Sequence, residues 1–436
     1  MIKYFFFIAG ICVCFSVMGQ TTFTSLKQVF DYADQHSVTI QASLMKEKMD
    51  IAKKEQAKSY LYPTVNAVAG YNDNIAIQPT LIPSELLDPS SPKGSYEEYK
   101  FGKRYVNTVS VQTQWAIVDF QQMFAMKMAT SQVQLSIAST AFTKFDTYKI
   151  LASVYYAILI TKESIKICED NFKTAKLISS NAEAKYQQGT ISEDVLNRAK
   201  IQKIQADEAM MVAYNSSKQL MCQLQSALVM DKSIVVDDSV ENYLSQNLSQ
   251  DLMTLHPEIK YQEAGLDLFK SQLRQVRALN YPTISMTYQY NYSWMSDQSM
   301  NFSDANKADA QFFGVKLSVP LFNGFYTKNK IKEAKWGLKQ QTLVLESTRI
   351  AKSKEDEILL LEYDQTQQSL EKSREILSLQ TVADKHIENK YQRGIISLDD
   401  RLDKYKELLN EQNSYLNSLG NYMAAEFQLY IRRLKL

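Results

Sequence analysis

Asp400 and Asp403 stand three residues apart, just past the turn Gly394-Ile395-Ile396-Ser397. That spacing puts both carboxylates on one face of a helix. Acids so placed do electrostatic work. They complement the positive end of a helix dipole, or, repeated around a symmetry axis, they narrow a pore mouth and favour cations. From spacing alone both readings stand, and the solvated first-turn pair is the simpler. Tyr391 lies three residues before the glycine. A second copy of the motif, Lys185-Tyr186-Gln187-Gln188-Gly189-Thr190-Ile191-Ser192, occurs in the first half. In each copy glycine suits the left-handed residue that ends a helix, and Ser192 or Ser397 suits the N-cap of the next one. The tip residues Gly189, Thr190, Ile191, Gly394, Ile395 and Ile396 also offer a small apolar contact for another protein. The three histidines have no metal-ligand spacing, and no nucleophile–base pair, metal cluster or phosphate loop stands out. Neither an enzyme nor a cofactor is expected.

The turns are held by long segments. No proline or glycine falls between Phe120 and Gly189, between Gly189 and Pro257, or between Gly337 and Gly394. These stretches are rich in Ala, Leu, Lys, Gln and Glu and read as helices, each glycine turn closing an antiparallel hairpin. A helix of about 65 residues is about 100 Å long, which suits a coiled coil or helical assembly better than a globular core.

Other stretches carry the opposite period. From Ile284 to Trp294, Ile, Met, Tyr, Tyr, Tyr and Trp alternate with Ser, Thr, Gln, Asn and Ser. A period of two is a β-strand with one apolar and one wet face. Four such strands are expected, at about 63–76, 105–119, 282–295 and 310–323. Four are too few to close a barrel, and an apolar face needs a second layer or lipid. Lipid demands closure, because backbone edges cannot stay unpaired in hydrocarbon. Three chains would supply about 12 strands, within the known range. Tyr71, Trp115, Tyr288, Tyr290, Tyr292 and Trp294 are then lipid-facing or interfacial girdle aromatics. The loops 72–104 and 295–309 would face outward.

The chain also repeats itself. Tyr62-Pro63-Thr64 corresponds to Tyr281-Pro282-Thr283 at an offset of 219 positions (281 − 62), and the glycine turns at an offset of 205 (394 − 189). The difference falls in the loop between the two strands of each half. The organisation expected is a signal peptide at 1–19, a first repeat at 20–230, a linker at 231–254 and a second repeat at 255–436. The signal rests on Lys3, the apolar run from Tyr4 to Met18, and small residues before Gln20. Neither Cys12 nor Cys14 follows a small residue in a lipoprotein-like pattern, so no lipid anchor is expected. Cys168 lies 21 residues before Gly189 (189 − 168) and Cys222 lies 33 after it (222 − 189). In a hairpin that mismatch is about 18 Å, too far for a disulfide, and two unpaired, packed thiols are expected. A net charge of +1 and a pI near 7.5 give no reason to expect nucleic acid.

This order resembles the TolC-type outer-membrane efflux proteins: a strand after Tyr-Pro, a strand ending in Val319-Pro320-Leu321-Phe322-Asn323-Gly324, a long helix, and a Tyr-Gln-x-Gly turn, all twice over. The resemblance implies a mainly α fold with a small β part. It implies a homotrimer whose four strands per chain form a 12-stranded transmembrane barrel in outer-membrane lipid, above a long antiparallel α-helical barrel in the periplasm. It further implies a passive exit duct for efflux or secretion, joined to a periplasmic adaptor and an inner-membrane transporter. Under it, the glycine tips are adaptor contacts, and Asp400, Asp403 and Tyr391 belong to the closed periplasmic aperture. Ile396 stands where the best-known members have an arginine, so the resemblance does not extend to a tyrosine–arginine lock. The alternative is a periplasmic or surface coiled-coil protein without a channel.

Overall fold

The computed structural model describes residues 21–244, 252, 255–299 and 302–434; the expected signal peptide lies outside the described residues. The elements run, in order, β1 (Thr21–Phe23), α1 (Leu26–His36), α2 (Val38–Lys58), β2 (Thr64–Asp73), β3 (Pro79–Pro83), β4 (Tyr96–Lys100), β5 (Tyr105–Asp119), α3 (Phe120–Gln187) and α4 (Glu193–Leu228). They continue with β6 (Ile234–Val236), α5 (Glu241–Leu244), α6 (Pro257–Arg277), β7 (Thr283–Ser296), β8 (Asn306–Ser318), α7 (Tyr326–Gln392) and α8 (Leu398–Arg433). The duplication is visible in the lengths. Helices α2 and α6 both have 21 residues, α3 and α7 have 68 and 67, and α4 and α8 have 36 each. Among the described residues no helix is long and apolar enough to cross a membrane.

The chain divides into two compact units. One comprises residues 48–135 and 263–344 and contains an antiparallel four-stranded sheet in the order β2-β5-β7-β8. Its register sorts the side chains. Val65, Ala67, Ala69 and Tyr71 of β2 share a face with Val109, Val111 and Trp115 of β5. Ile284, Met286, Tyr288, Tyr290, Tyr292 and Trp294 of β7, with Phe313, Val315 and Leu317 of β8, complete it. The opposite face carries Asn66, Ser110, Gln112, Gln114, Thr287, Gln289 and Asn291. A bulge between Ala116 and Val118 keeps this sorting to the end of β5.

The structure departs from expectation in two strands and one loop. Strand β2 ends at Asp73 rather than at about 76. Strand β8 occupies 306–318 rather than 310–323. It stops two residues before Pro320, which has no N–H for the ladder. The loop 72–104 is not wholly irregular. It contains the antiparallel pair β3–β4, with Pro79 and Pro83 at the two ends of β3, where a missing donor is tolerated.

The other unit, in its described residues between 21 and 47, 136 and 262, and 345 and 434, is mainly helical. Its main core joins Val29 and Phe30 of α1, Leu151, Tyr155 and Leu159 of α3, Leu224 of α4, and Leu419 and Met423 of α8. The linker is tied into it. Strand β6 pairs in parallel with β1, and Asp238 accepts hydrogen bonds from the hydroxyls of Tyr155 (2.5 Å) and Tyr243 (2.7 Å). Glu426 is fully buried here, and burial pushes its carboxyl up to about 7. A second core lies at the hairpin ends, where Ile178, Ala182, Leu196 and Ala199 pack with Tyr391, Leu398, Leu402 and Tyr405.

Candidate functional site

Both hairpin tips are built alike. Gly189 (φ 72°) and Gly394 (φ 73°) take the left-handed conformation that ends α3 and α7. The Gly189 N–H donates to Tyr186 O (2.9 Å) and Thr190 N–H to Lys185 O (2.9 Å). Gly394 N–H donates to Tyr391 O (3.0 Å) and Ile395 N–H to Lys390 O (2.9 Å). This paired pattern satisfies the last carbonyls of each helix, and a side chain at either glycine would strain the φ. The returning helices begin differently. Ser397 and Asp400 form a reciprocal capping box, with Asp400 N–H to Ser397 Oγ at 3.0 Å. The Ser397 hydroxyl, donating to Asp400 at 2.6 Å, holds that carboxyl below the usual carboxylate range. Ser192 sits at the N-cap of α4 with extended backbone but makes no side-chain cap bond.

The two acids sharing a face have separate engagements. Asp400 serves the cap. Asp403 and Asp399 both accept from the guanidinium of Arg198 on α4, which bridges the first hairpin to the second. Asp194 is exposed, with no partner among the described residues. Tyr391 is buried in the tip core, with the Lys185 ammonium 4.3 Å from its ring centroid. Its hydroxyl has no hydrogen-bond partner among the described residues. At the tips Ile191 and Ile396 are half-buried against this core, while Thr190 and Ile395 are exposed.

A buried polar contact at the tip was not anticipated. Arg401 is 1% exposed. Its Nη1 and Nη2 donate to Asp384 (2.6 and 3.2 Å) and its Nε to Glu388 (2.7 Å), both on α7. A buried guanidinium needs such paired oxygens to offset its lost hydration. The pairing clamps α8 to α7 just behind the turn. A signal was present in the sequence: Asp384 and Glu388 precede Gly394 at helical spacing, and Arg401 follows it at matching depth in the hairpin.

The sheet places the girdle candidates as follows. Tyr71, Trp115, Tyr288, Tyr290, Tyr292 and Trp294 all lie on the apolar face. Trp115 donates through Nε1 to Leu61 O (3.1 Å), Tyr288 donates to Gln311 Oε1 (3.2 Å), and Tyr292 and Trp294 meet edge to face at 4.7 Å. The Tyr71 hydroxyl also pairs with the Ser299 hydroxyl (3.3 Å), so three of the six satisfy their polar atoms within the chain while keeping an apolar body. Among the described residues Cys168 and Cys222 are both free, but Cys222 is exposed on the single chain rather than packed; Cys168 is half-buried. Among the described residues no group of histidine, cysteine and carboxylate side chains could hold a metal ion.

Residues 248–431 match the family described as outer membrane efflux protein. The chain is 22% identical over 394 residues to the probable outer membrane lipoprotein SilC of Salmonella typhimurium, covering 88% of this chain and 81% of that protein. Among solved structures it resembles CusC, with a TM-score of 0.77 at 14% identity over 94% of this chain and 91% of that one. It also resembles the outer membrane protein VceC of Vibrio cholerae, with a TM-score of 0.73 at 15% identity over 94% and 96% of the two chains. At such identities the structural likeness concerns the fold.

Proposed function

We propose that the chain is a TolC-type outer membrane efflux protein, and that three copies form a passive, gated exit duct through the outer membrane; the match of residues 248–431 to the outer membrane efflux protein family and the likeness to SilC support this. One observation carries the proposal. A four-stranded sheet has one apolar and one polar face, and its outer strands β2 and β8 have no strand partner along their free edges among the described residues. In water such a sheet would aggregate by its edges. In lipid it needs closure, and three fourfold contributions close as about 12 strands. Lipid then wets the tyrosine-rich face and water the Gln/Asn/Ser/Thr face.

The long hairpins line the periplasmic duct. In the closed state Asp400 and Asp403 from three chains face its aperture, Arg198 steadying Asp403 from the neighbouring hairpin. Ile191 and Ile396 support the turns from inside, leaving Thr190 and Ile395 to meet the hairpin of a periplasmic adaptor, which couples the duct to an inner-membrane transporter.

The experiment is reconstitution. An unheated detergent gel is expected to show a trimer that collapses to monomer on boiling, and planar bilayers to show discrete channels. Recovery only as a monomer, without conductance, would remove the proposal. For the aperture, Asp400→Asn with Asp403→Asn is expected to raise single-channel conductance and weaken block by trivalent cations. Unchanged conductance and block would leave Asp400 as a helix cap and Asp403 as an ion-pair partner.

A further inference from the structure

The polar face of the sheet is not uniform. Among its described strand residues, Phe312 of β8 is the one aromatic side chain, and it is 52% exposed. Two side chains on that face carry charge, Lys316 and Asp119. They differ in commitment. Asp119 lies at the strand end and accepts from the Gln122 N–H (3.1 Å) at the start of α3. Lys316 is exposed, and no ion pair engages it among the described residues. Between Phe312 and Lys316, on the same face, stands Gly314, opposite the small Thr287. A Cβ added at Gly314 would meet nothing within 4 Å. Successive same-face residues are about 6.6 Å apart along a strand, so ring and ammonium flank a bare floor about 13 Å long.

We infer that Phe312, Gly314 and Lys316 form a contact subsite for flat organic anions passing through the duct, an inference that rests on the channel reading. The ammonium selects negative charge. The phenyl ring gives an aromatic or other planar body a surface to stack on. The missing side chain at Gly314 leaves room for that body to lie against the wall between them. Three copies would set three such subsites around the lumen, where wall substitutions tune selectivity.

Single-channel block tests this, with naphthalene-2-sulfonate as the flat anion and methanesulfonate as its small counterpart. Naphthalene-2-sulfonate is expected to block the wild-type channel at the lower concentration. Lys316→Gln should raise its half-blocking concentration about tenfold, the equivalent of one lost charged contact. The same change should move the reversal potential in a salt gradient toward cation preference. Phe312→Ala should weaken block by naphthalene-2-sulfonate and leave methanesulfonate unchanged. Gly314→Val should weaken block without altering charge, and Gly314→Ala serves if the valine variant fails to migrate as a trimer on the unheated gel. Equal half-blocking concentrations in wild type and all variants that form trimers would overturn the subsite. So would a Lys316→Gln effect of the same size on both probes with no effect of Phe312→Ala, which would reduce the site to a bare charge. A wild-type protein that forms trimers but no channels would overturn the duct reading and the subsite with it.

Discussion

Val111→Arg should abolish the heat-modifiable trimer, and Gln112→Arg, at the next position, should leave it intact. The two residues adjoin in β5 but point to opposite faces. Val111 stands between Ala67 and Tyr290 on the apolar side, and Gln112 between Asn66 and Gln289 on the polar side. If lipid wets the first face, an arginine near the middle of the strand costs about 2–4 kcal/mol in each copy. A trimer incurs that cost three times. On the wet face the same side chain stays hydrated. It changes ion preference without much effect on assembly. Semi-native gels and urea titration in detergent read the difference. Equal tolerance of the two variants would mean that neither face meets hydrocarbon, and reversed tolerance would place lipid on the other side of the sheet.

The second large effect lies at the tip. Asp384→Ala leaves the Arg401 guanidinium buried with Glu388 as its remaining carboxylate. Breaking a buried pair in this way typically costs about 3–5 kcal/mol, and the retained Glu388 places this case near the lower bound. The loss should be local. Amide hydrogen exchange from Tyr391 to Leu402 is expected to accelerate by about two orders of magnitude, with the core around Tyr155 unaffected. Asp384→Leu combined with Arg401→Leu should be milder than Asp384→Ala alone, because no charge is left stranded. Unchanged exchange at the turn in Asp384→Ala would show that the clamp contributes nothing. In a duct that closes at this end, loosening the clamp should also raise basal conductance.

The fold was legible where the determinant is local. A period of two, a long stretch without proline or glycine, and a glycine followed by a capping serine each report backbone geometry that neighbouring residues set for themselves. The duplication was legible because it repeats those local signals at fixed offsets. The candidate site divides along the same line. The left-handed glycines and the capping box at Ser397 are local features, and their residues announce them.

The partners of charged side chains were not legible. Arg198 meets Asp399 and Asp403 across two hairpins some two hundred residues apart, and nothing in the nearby sequence of either reports the other. Arg401 follows Gly394 at the depth of Asp384 and Glu388, but only the packing of α8 on α7 removes it from water. The same holds for Asp403, which spacing paired with Asp400 and packing assigned to Arg198. The wet-face trio in β8 was hidden for a related reason. Period two sorts residues within a strand, but only the hydrogen-bond register between strands decides that Phe312 and Lys316 share a face with Gln289 and Ser285. Strand, turn and repeat were thus set by the chain alone, since each arises within a few consecutive residues. Which charges pair, which are buried and which line the polar face were decided by tertiary structure, since each needs two distant segments brought within a few ångströms.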